Sequence, residues 1–200
     1  MRIDISPHIP DDINNTNLVI VGEAPGRDEV IQGLPFVGAS GKFLRKTITE
    51  MGFVVENAYI TNVFWERPPD NDVKYFFCTK TAAKLKGVEI CENICPFKNM
   101  YLKKEYEEWY YRLGDEIQAV DPEIILAVGA TPTWALTFQD KITECRGVPV
   151  KCTIPNCSDY YVVPTFHPAG VMRRRDWTDN FKVDIANAIR IAITGDTIPF

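Results

Sequence analysis

A carboxylate, a carboxamide and an imidazole stand at or just beyond the ends of three short apolar runs. Glu23 follows Asn17-Leu18-Val19-Ile20-Val21, which stops at Gly22; Asn62 lies at the end of Ala58-Tyr59-Ile60-Thr61-Asn62-Val63; and His167 comes just after the run from Tyr160 to Thr165. The three side chains have complementary chemistry. A carboxylate only accepts hydrogen bonds, a carboxamide presents a donor beside an acceptor, and a neutral imidazole donates from one nitrogen and accepts at the other. Together they could orient water, read a polar edge and stabilise developing negative charge. Taken singly, two of them also have a purely structural reading: Asn62 as a strand-end cap, His167 as a satisfied loop histidine.

The elements that would position them are legible. Each apolar run has the profile of a buried parallel strand, and a fourth run, Glu123 to Val128, stops at Gly129. Between them lie helical stretches: one capped by Ser40 and running to about Met51, one from Leu102 to Val120 ended by Asp121-Pro122, a short one capped by Thr131 with Pro132 in its first position, and a closing one from Trp177 to about Ile193. Strand alternating with helix implies an α/β fold with a parallel sheet covered on both faces. Ligands of such sheets bind in the crevice beyond the carboxyl ends of the strands. That rule selects Gly22-Glu23-Ala24-Pro25-Gly26, Asn62, Gly129 and Phe166-His167-Pro168, so the three polar groups are expected on one rim.

Two hundred residues, 46% hydrophobic and 24% charged, fit a single compact domain spanning 1–200 and rule out a largely disordered or fibrous chain. Residues 73–100, with three cysteines and several lysines, read as an insertion. A net charge of −5 argues against a protein that coats nucleic acid generally. It leaves room for local basic patches at Arg173-Arg174-Arg175 and at Lys42, Arg45 and Lys46. No apolar run approaches the roughly 20 residues that span a bilayer, and the first residues lack a secretory apolar stretch, so an intracellular protein without a membrane partner is expected. Six cysteines in that compartment are expected as free thiols or metal ligands rather than bridges. The phosphate-loop and dinucleotide templates are not met: Gly41-Lys42 is followed by Phe43 rather than Ser or Thr, and no Gly-x-Gly-x-x-Gly occurs.

The ordered set GEAPGRDE, GLPFVGASG, ITNVFWERPP, a lone Arg146-Gly147 and PTFHPAGVMR resembles the uracil-DNA glycosylase superfamily, most of all its family-four, iron–sulfur-bearing branch, over about residues 17–190. The resemblance implies a three-layer α/β/α sandwich around a four-stranded parallel sheet. It implies a monomeric DNA-repair enzyme that flips uracil out of DNA and hydrolyses its N-glycosidic bond without a lyase step. Under it, Phe36 stacks on the base and Asn62 pairs with O4 and N3–H. His167 and the Ala24 amide bind O2, while Glu23 lies near the sugar and Glu29 closes the pocket near C5. The loop Ala169-Gly170-Val171-Met172 wedges into the minor groove, with Val171 and Met172 against the DNA, and Arg173, Arg174 and Arg175 contact phosphates. Other readings of the same residues remain: Phe36 as a core aromatic, Glu29 as a surface acid, the arginine triplet as a solvated face. Activity on a modified uracil such as 5-hydroxymethyluracil, a DNA-binding replication accessory and an unrelated small nucleotide-binding enzyme are alternatives.

The chain departs from the branch at the cluster ligands. The branch takes two cysteines from an N-terminal Cys-x-x-Cys and one from a Lys-Cys-Arg-Pro-Pro segment. Here no cysteine precedes Cys78, and the corresponding segment reads Trp65-Glu66-Arg67-Pro68-Pro69. A metal-free enzyme is therefore expected, with Cys78, Cys91 and Cys95 as thiols rather than cluster or zinc ligands. Val30 also replaces the acid that commonly follows Glu29. The Arg-Arg-Ile-His insert of the DNA-crosslinking relatives is missing, so covalent capture is not expected.

Overall fold

The computed structural model describes residues 5–196, so the first four residues of the N-terminal stretch considered above lie outside it. The chain opens with β1 (Leu18–Gly22), α1 (Arg27–Gln32), α2 (Ala39–Glu50) and β2 (Tyr59–Asn62). Next come a small antiparallel pair, β3 (Phe77–Cys78) and β4 (Tyr101–Leu102), with α3 (Lys80–Lys86) between them. After α4 (Glu107–Val120) come β5 (Ile124–Val128), α5 (Ala130–Thr137), α6 (Ile142–Cys145), β6 (Val150–Lys151) and β7 (Tyr161–Thr165). The short α7 (Pro168–Arg173) and the long α8 (Thr178–Thr194) end the fold.

The main sheet has the order β2-β1-β5-β7-β6. Four strands are parallel, as the sequence predicts, but a fifth, β6, adds an antiparallel edge to β7. The expected four-stranded sheet is thus five-stranded. Its extra strand comes from the stretch between α6 and β7 and is only two residues long. Strands are added outward in one direction from β1 to β2 and in the other from β5 to β7, so the strand order reverses between β1 and β5, the switch point where such sheets open a crevice.

Alternate residues of β1 and β5 feed two separate cores. Val19, Val21, Ile125 and Ala127 pack with α4, α5 and the β3–β4 segment. Leu18, Ile20, Ile124 and Leu126 pack with α2, α7 and α8. Both strands are buried on both faces, and each such apolar side chain contributes about 1.5–3 kcal/mol relative to an exposed one. Residues 73–100 supply Phe76, Phe77, Cys91, Ile94 and Phe97 to the first core. Phe77 and Phe97 ring-pack on Trp134 of α5 at 5.1 and 5.5 Å.

Several helix boundaries differ from expectation. The N-cap of α2 is Gly38, so Ser40 lies inside the helix. Gly129, at φ +107°, is the N-cap of α5, which places Thr131 in the first turn rather than at the cap. The stretch from Leu102 begins with strand and a 3₁₀ turn, and α4 itself starts at Glu107. It stops as read, at Asp121, which adopts a left-handed conformation and closes back on Ile117. Among the described residues no helix is long and apolar enough to cross a membrane.

Candidate active site

Parallel pairing sets Gly22 of β1 opposite Asn62 of β2. The ladder continues past both strands, with the N–H of Val63 and Phe64 donating to the carbonyls of Gly22 and Glu23 at 2.9 and 3.0 Å. Across the switch point, Val128 of β5 pairs with Thr165 of β7, and the Gly129 N–H donates to the Thr165 carbonyl at 2.9 Å. The ends of four strands are thereby level, and a cavity of about 560 Å³ opens above them. Its lining includes Glu23, Ala24, Glu29, Phe36, Asn62 and His167. The carboxylate, amide and imidazole meet, as the strand-end rule predicts.

Phe36 is held in place by unusual backbone. Its φ is +55°, a left-handed conformation that costs a side-chain-bearing residue about 1–2 kcal/mol. Arg45 of α2 offsets that strain, donating from Nε to the Phe36 carbonyl at 3.0 Å and from Nη2 to the Pro35 carbonyl at 3.1 Å. Glu29 grips the other side of the loop, its Oε1 accepting the N–H groups of Val37 and Gly38 at 3.0 and 2.8 Å. Glu29 therefore lines the cavity as a clamp on the Phe36 loop, with one oxygen already engaged. Gly22 completes the arrangement, because a Cβ there would lie 2.6 Å from Phe36 Cζ and closer still to Asn62 Oδ1. Ring and amide thus come together over a backbone that has no side chain.

The Asn62 side chain is buried and makes no hydrogen bond to the described protein, which leaves its donor and acceptor for a ligand. Its main chain is fixed by Arg112 of α4, a residue that sequence reasoning missed. The guanidinium donates to the carbonyls of Asn62 and Val63 at 2.8 and 3.1 Å, stacks on Trp65 at 4.2 Å and pairs with Glu116 at 2.6 Å. The i,i+4 spacing of Arg112 and Glu116 in a predicted helix was the one available signal.

His167 caps α7, with Nδ1 accepting the Ala169 N–H at 3.2 Å. That bond assigns the ring proton to Nε2. Burial, reinforced by the positive charge of Arg173, pushes the imidazole down from 6.5 to about 4. The ring is therefore neutral at physiological pH and is a hydrogen-bond donor without being a cation. Close packing requires Gly129, where a Cβ would meet the His167 Cβ at 3.2 Å. Glu23 accepts the hydroxyl of buried Thr131 at 2.5 Å, and burial raises its carboxyl above the ordinary range.

A second groove of about 510 Å³ adjoins the cavity and shares Gly26, Glu29, Ala169 and Arg173 with it. It adds Arg27, Arg67 and Met172. Met172 is 48% exposed, but Val171 is only 1% exposed and packs in the core with α2 and α8. The assignment of Val171 to a DNA wedge is therefore wrong: the segment is helical, and this residue points inward. Of the arginine triplet only Arg173 reaches the cavity. Arg174 lies over Trp177 at 4.3 Å and pairs with Asp176, and Arg175 is exposed in the next turn.

The sequence profile of the uracil DNA glycosylase superfamily matches residues 10–190, nearly the whole chain. The chain belongs to this superfamily. Among curated members, the type-4 uracil-DNA glycosylase of Thermotoga maritima is 32% identical over 166 residues, covering 80% of this chain and 69% of the relative. That of Pyrobaculum aerophilum is 29% identical over 176 residues, 84% of this chain and 74% of the relative. That of Archaeoglobus fulgidus is 56% identical over a shorter stretch of 54 residues, 27% of each chain. The five-stranded sheet and the strand-end cavity are this superfamily member's site architecture.

An iron–sulfur cluster of the kind the family-four resemblance implies is held by cysteine thiolates. Four thiolates are needed. Cys91 is packed in the core, where burial pushes its thiol up to about 11. Cys95 is exposed, and its thiol faces the Pro96 carbonyl at 3.9 Å. Among the described residues no three His, Cys, Asp or Glu side chains gather as metal ligands.

Proposed function

We propose that this member of the uracil-DNA glycosylase superfamily hydrolyses the N-glycosidic bond of uracil in DNA, releasing uracil and leaving an abasic site. The observation that carries the reading is the convergence of Glu23, Phe36, Asn62 and His167 on one cavity. A base inside a duplex cannot be attacked until it is extruded, at a cost of a few kcal/mol. Stacking on Phe36 and pairing with Asn62 would offset that cost. The Asn62 amide can meet both O4 and N3–H of uracil, whereas cytosine presents the opposite pattern and leaves buried polar groups unpaired.

As the glycosidic bond breaks, the sugar becomes oxocarbenium-like and the base an anion. His167 Nε2–H and the Ala24 N–H would donate to O2 as negative charge grows there; one such donor is worth about 2.7–4 kcal/mol in the transition state. A neutral imidazole suits this role because it moves no proton before the bond weakens. The Glu23 carboxylate would face the sugar, opposing its developing positive charge and orienting the attacking water. Arg27, Arg67 and Arg173 along the adjoining groove suit phosphate contacts, and Met172 is the exposed apolar side chain that would fill the space left by the flipped base.

DNA as substrate supports an intracellular site of action. The glutamate at position 66 and the scattered thiols support work without a resident cluster. The test is incubation with single- and double-stranded oligonucleotides carrying uracil, 5-hydroxymethyluracil or thymine, followed by alkali. Scission at uracil alone is expected. Preferential scission at 5-hydroxymethyluracil would reassign the substrate, and binding without scission would reduce the protein to a DNA-binding relative of the enzymes.

A further inference from the structure

Two residues that no motif singles out converge on Glu23. Thr131 reaches it from the first turn of α5, its hydroxyl donating to Oε2 at 2.5 Å. Lys98 lines the same cavity from the turn that precedes β4. That turn is a built feature. Phe97 and Met100 exchange N–H to carbonyl bonds at 2.9 Å, and Lys98 and Asn99 both take left-handed backbone, with φ of 49° and 64°. Two consecutive residues in that conformation cost about 1–2 kcal/mol each, so the surroundings must hold them. Phe97 anchors the turn against Trp134 of α5, the Trp134 indole N–H donates to the Cys95 carbonyl at 2.8 Å, and the Lys98 N–H donates to Asp140 at 3.3 Å. Trp134 lies one helical turn beyond Thr131. The hydroxyl and the ammonium thus sit on two elements that are packed against each other.

We propose that Thr131 and Lys98 are positioning residues for Glu23: the hydroxyl holds one carboxylate oxygen, and the ammonium supplies the countercharge that keeps a buried carboxylate ionised beside a developing sugar cation. The inference rests on the glycosylase reading of the site. Desolvation is the largest influence on Glu23 and favours its neutral form. The Thr131 hydrogen bond and the Lys98 charge oppose it, and Asp72 adds to it. Of the other charged groups of the cavity, Glu29 holds the Val37 and Gly38 amides and Arg173 acts on His167. Lys98 is the cation that acts on Glu23. It comes from the segment that looks most like an insertion in the sequence.

The test is the titration of the Glu23 carboxyl, followed by ¹³C NMR, in the wild type, Lys98→Met, Lys98→Arg, Thr131→Val and Thr131→Ser. The pH dependence of single-turnover uracil excision is measured beside it. Lys98 is exposed, so its replacement leaves the core intact. Lys98→Met and Thr131→Val should raise the Glu23 midpoint and move the acid limb of the rate profile with it. A rise of one unit lowers the rate on that limb about tenfold and leaves the alkaline plateau unchanged. Lys98→Arg and Thr131→Ser should stay near wild type. A midpoint unmoved in either Lys98→Met or Thr131→Val, or an equal rate loss at every pH, overturns the proposal. A wild type that leaves uracil in place would refute the glycosylase reading instead, and the NMR midpoints would still decide the link among the three residues.

Discussion

Gly22→Ala adds one methyl group at the most crowded point of the site. The new Cβ would sit 2.6 Å from Phe36 Cζ and closer to Asn62 Oδ1, whereas relaxed carbon contacts lie near 3.5–4.0 Å. Relief requires a shift of about 1 Å in the ring, the amide or both. Neither can yield cheaply, because Glu29 and Arg45 clamp the Phe36 loop and Arg112 clamps the Asn62 carbonyl. Overpacking of this kind costs about 1–3 kcal/mol of stability, a fall of roughly 2–4 °C in melting temperature per kcal/mol for a chain this long. The effect on chemistry should be larger, since misplacing reacting groups by about 1 Å can cost 10²-fold in rate. Single-turnover excision from a uracil oligonucleotide, with thermal unfolding by circular dichroism, measures both. The expected result is a loss of about 10²-fold in rate with a melting temperature lowered by only several degrees. A variant that excises uracil within about threefold of the wild-type rate would refute the claim that Phe36 and Asn62 form one rigid grip.

Because burial holds the His167 imidazole near 4, its NMR titration should show a midpoint near 4 rather than 6.5. Excision should pass through pH 6.5 without an inflection from this ring. Between those values the unfolded chain binds the extra proton, so His167 makes stability fall as pH drops from 6.5 to 4. His167→Gln should lose less stability over that window in pH-dependent denaturation and should lower excision about 10²–10³-fold at neutral pH. Met172→Ala should slow excision from duplex DNA several-fold while leaving single-stranded DNA nearly unaffected, as parallel assays on the two substrates would read, since only the duplex demands base extrusion.

The four parallel strands were legible because each is an apolar run stopped by Gly or by a polar residue, and burial on both faces demands that pattern. Glu23, Asn62 and His167 were legible because strand ends in such a sheet share a rim. The edge strand Val150–Lys151 was not, since two residues carry no periodicity. The segment from 73 to 100 looked like an insertion because its aromatic residues are irregularly spaced. They are spaced for a hairpin and turns that close over α5, and that closure delivers Lys98 to the cavity. Val171 was misread because Ala169-Gly170 suggests a loop. The His167-Pro168 cap starts a helix instead, and Val171 falls on its buried face. Thr131 lay two residues beyond Gly129 and within reach of the strand-end rule, but it read as a helix cap.

The most direct measurement is a crystal structure of the protein bound to DNA with an extrahelical, non-hydrolysable deoxyuridine analogue. The base should stack on Phe36 with O4 and N3 on the Asn62 amide, O2 on His167 Nε2, and the sugar beside Glu23. A base that remains in the helix, or that is bound elsewhere with the cavity holding only water, would contradict the account.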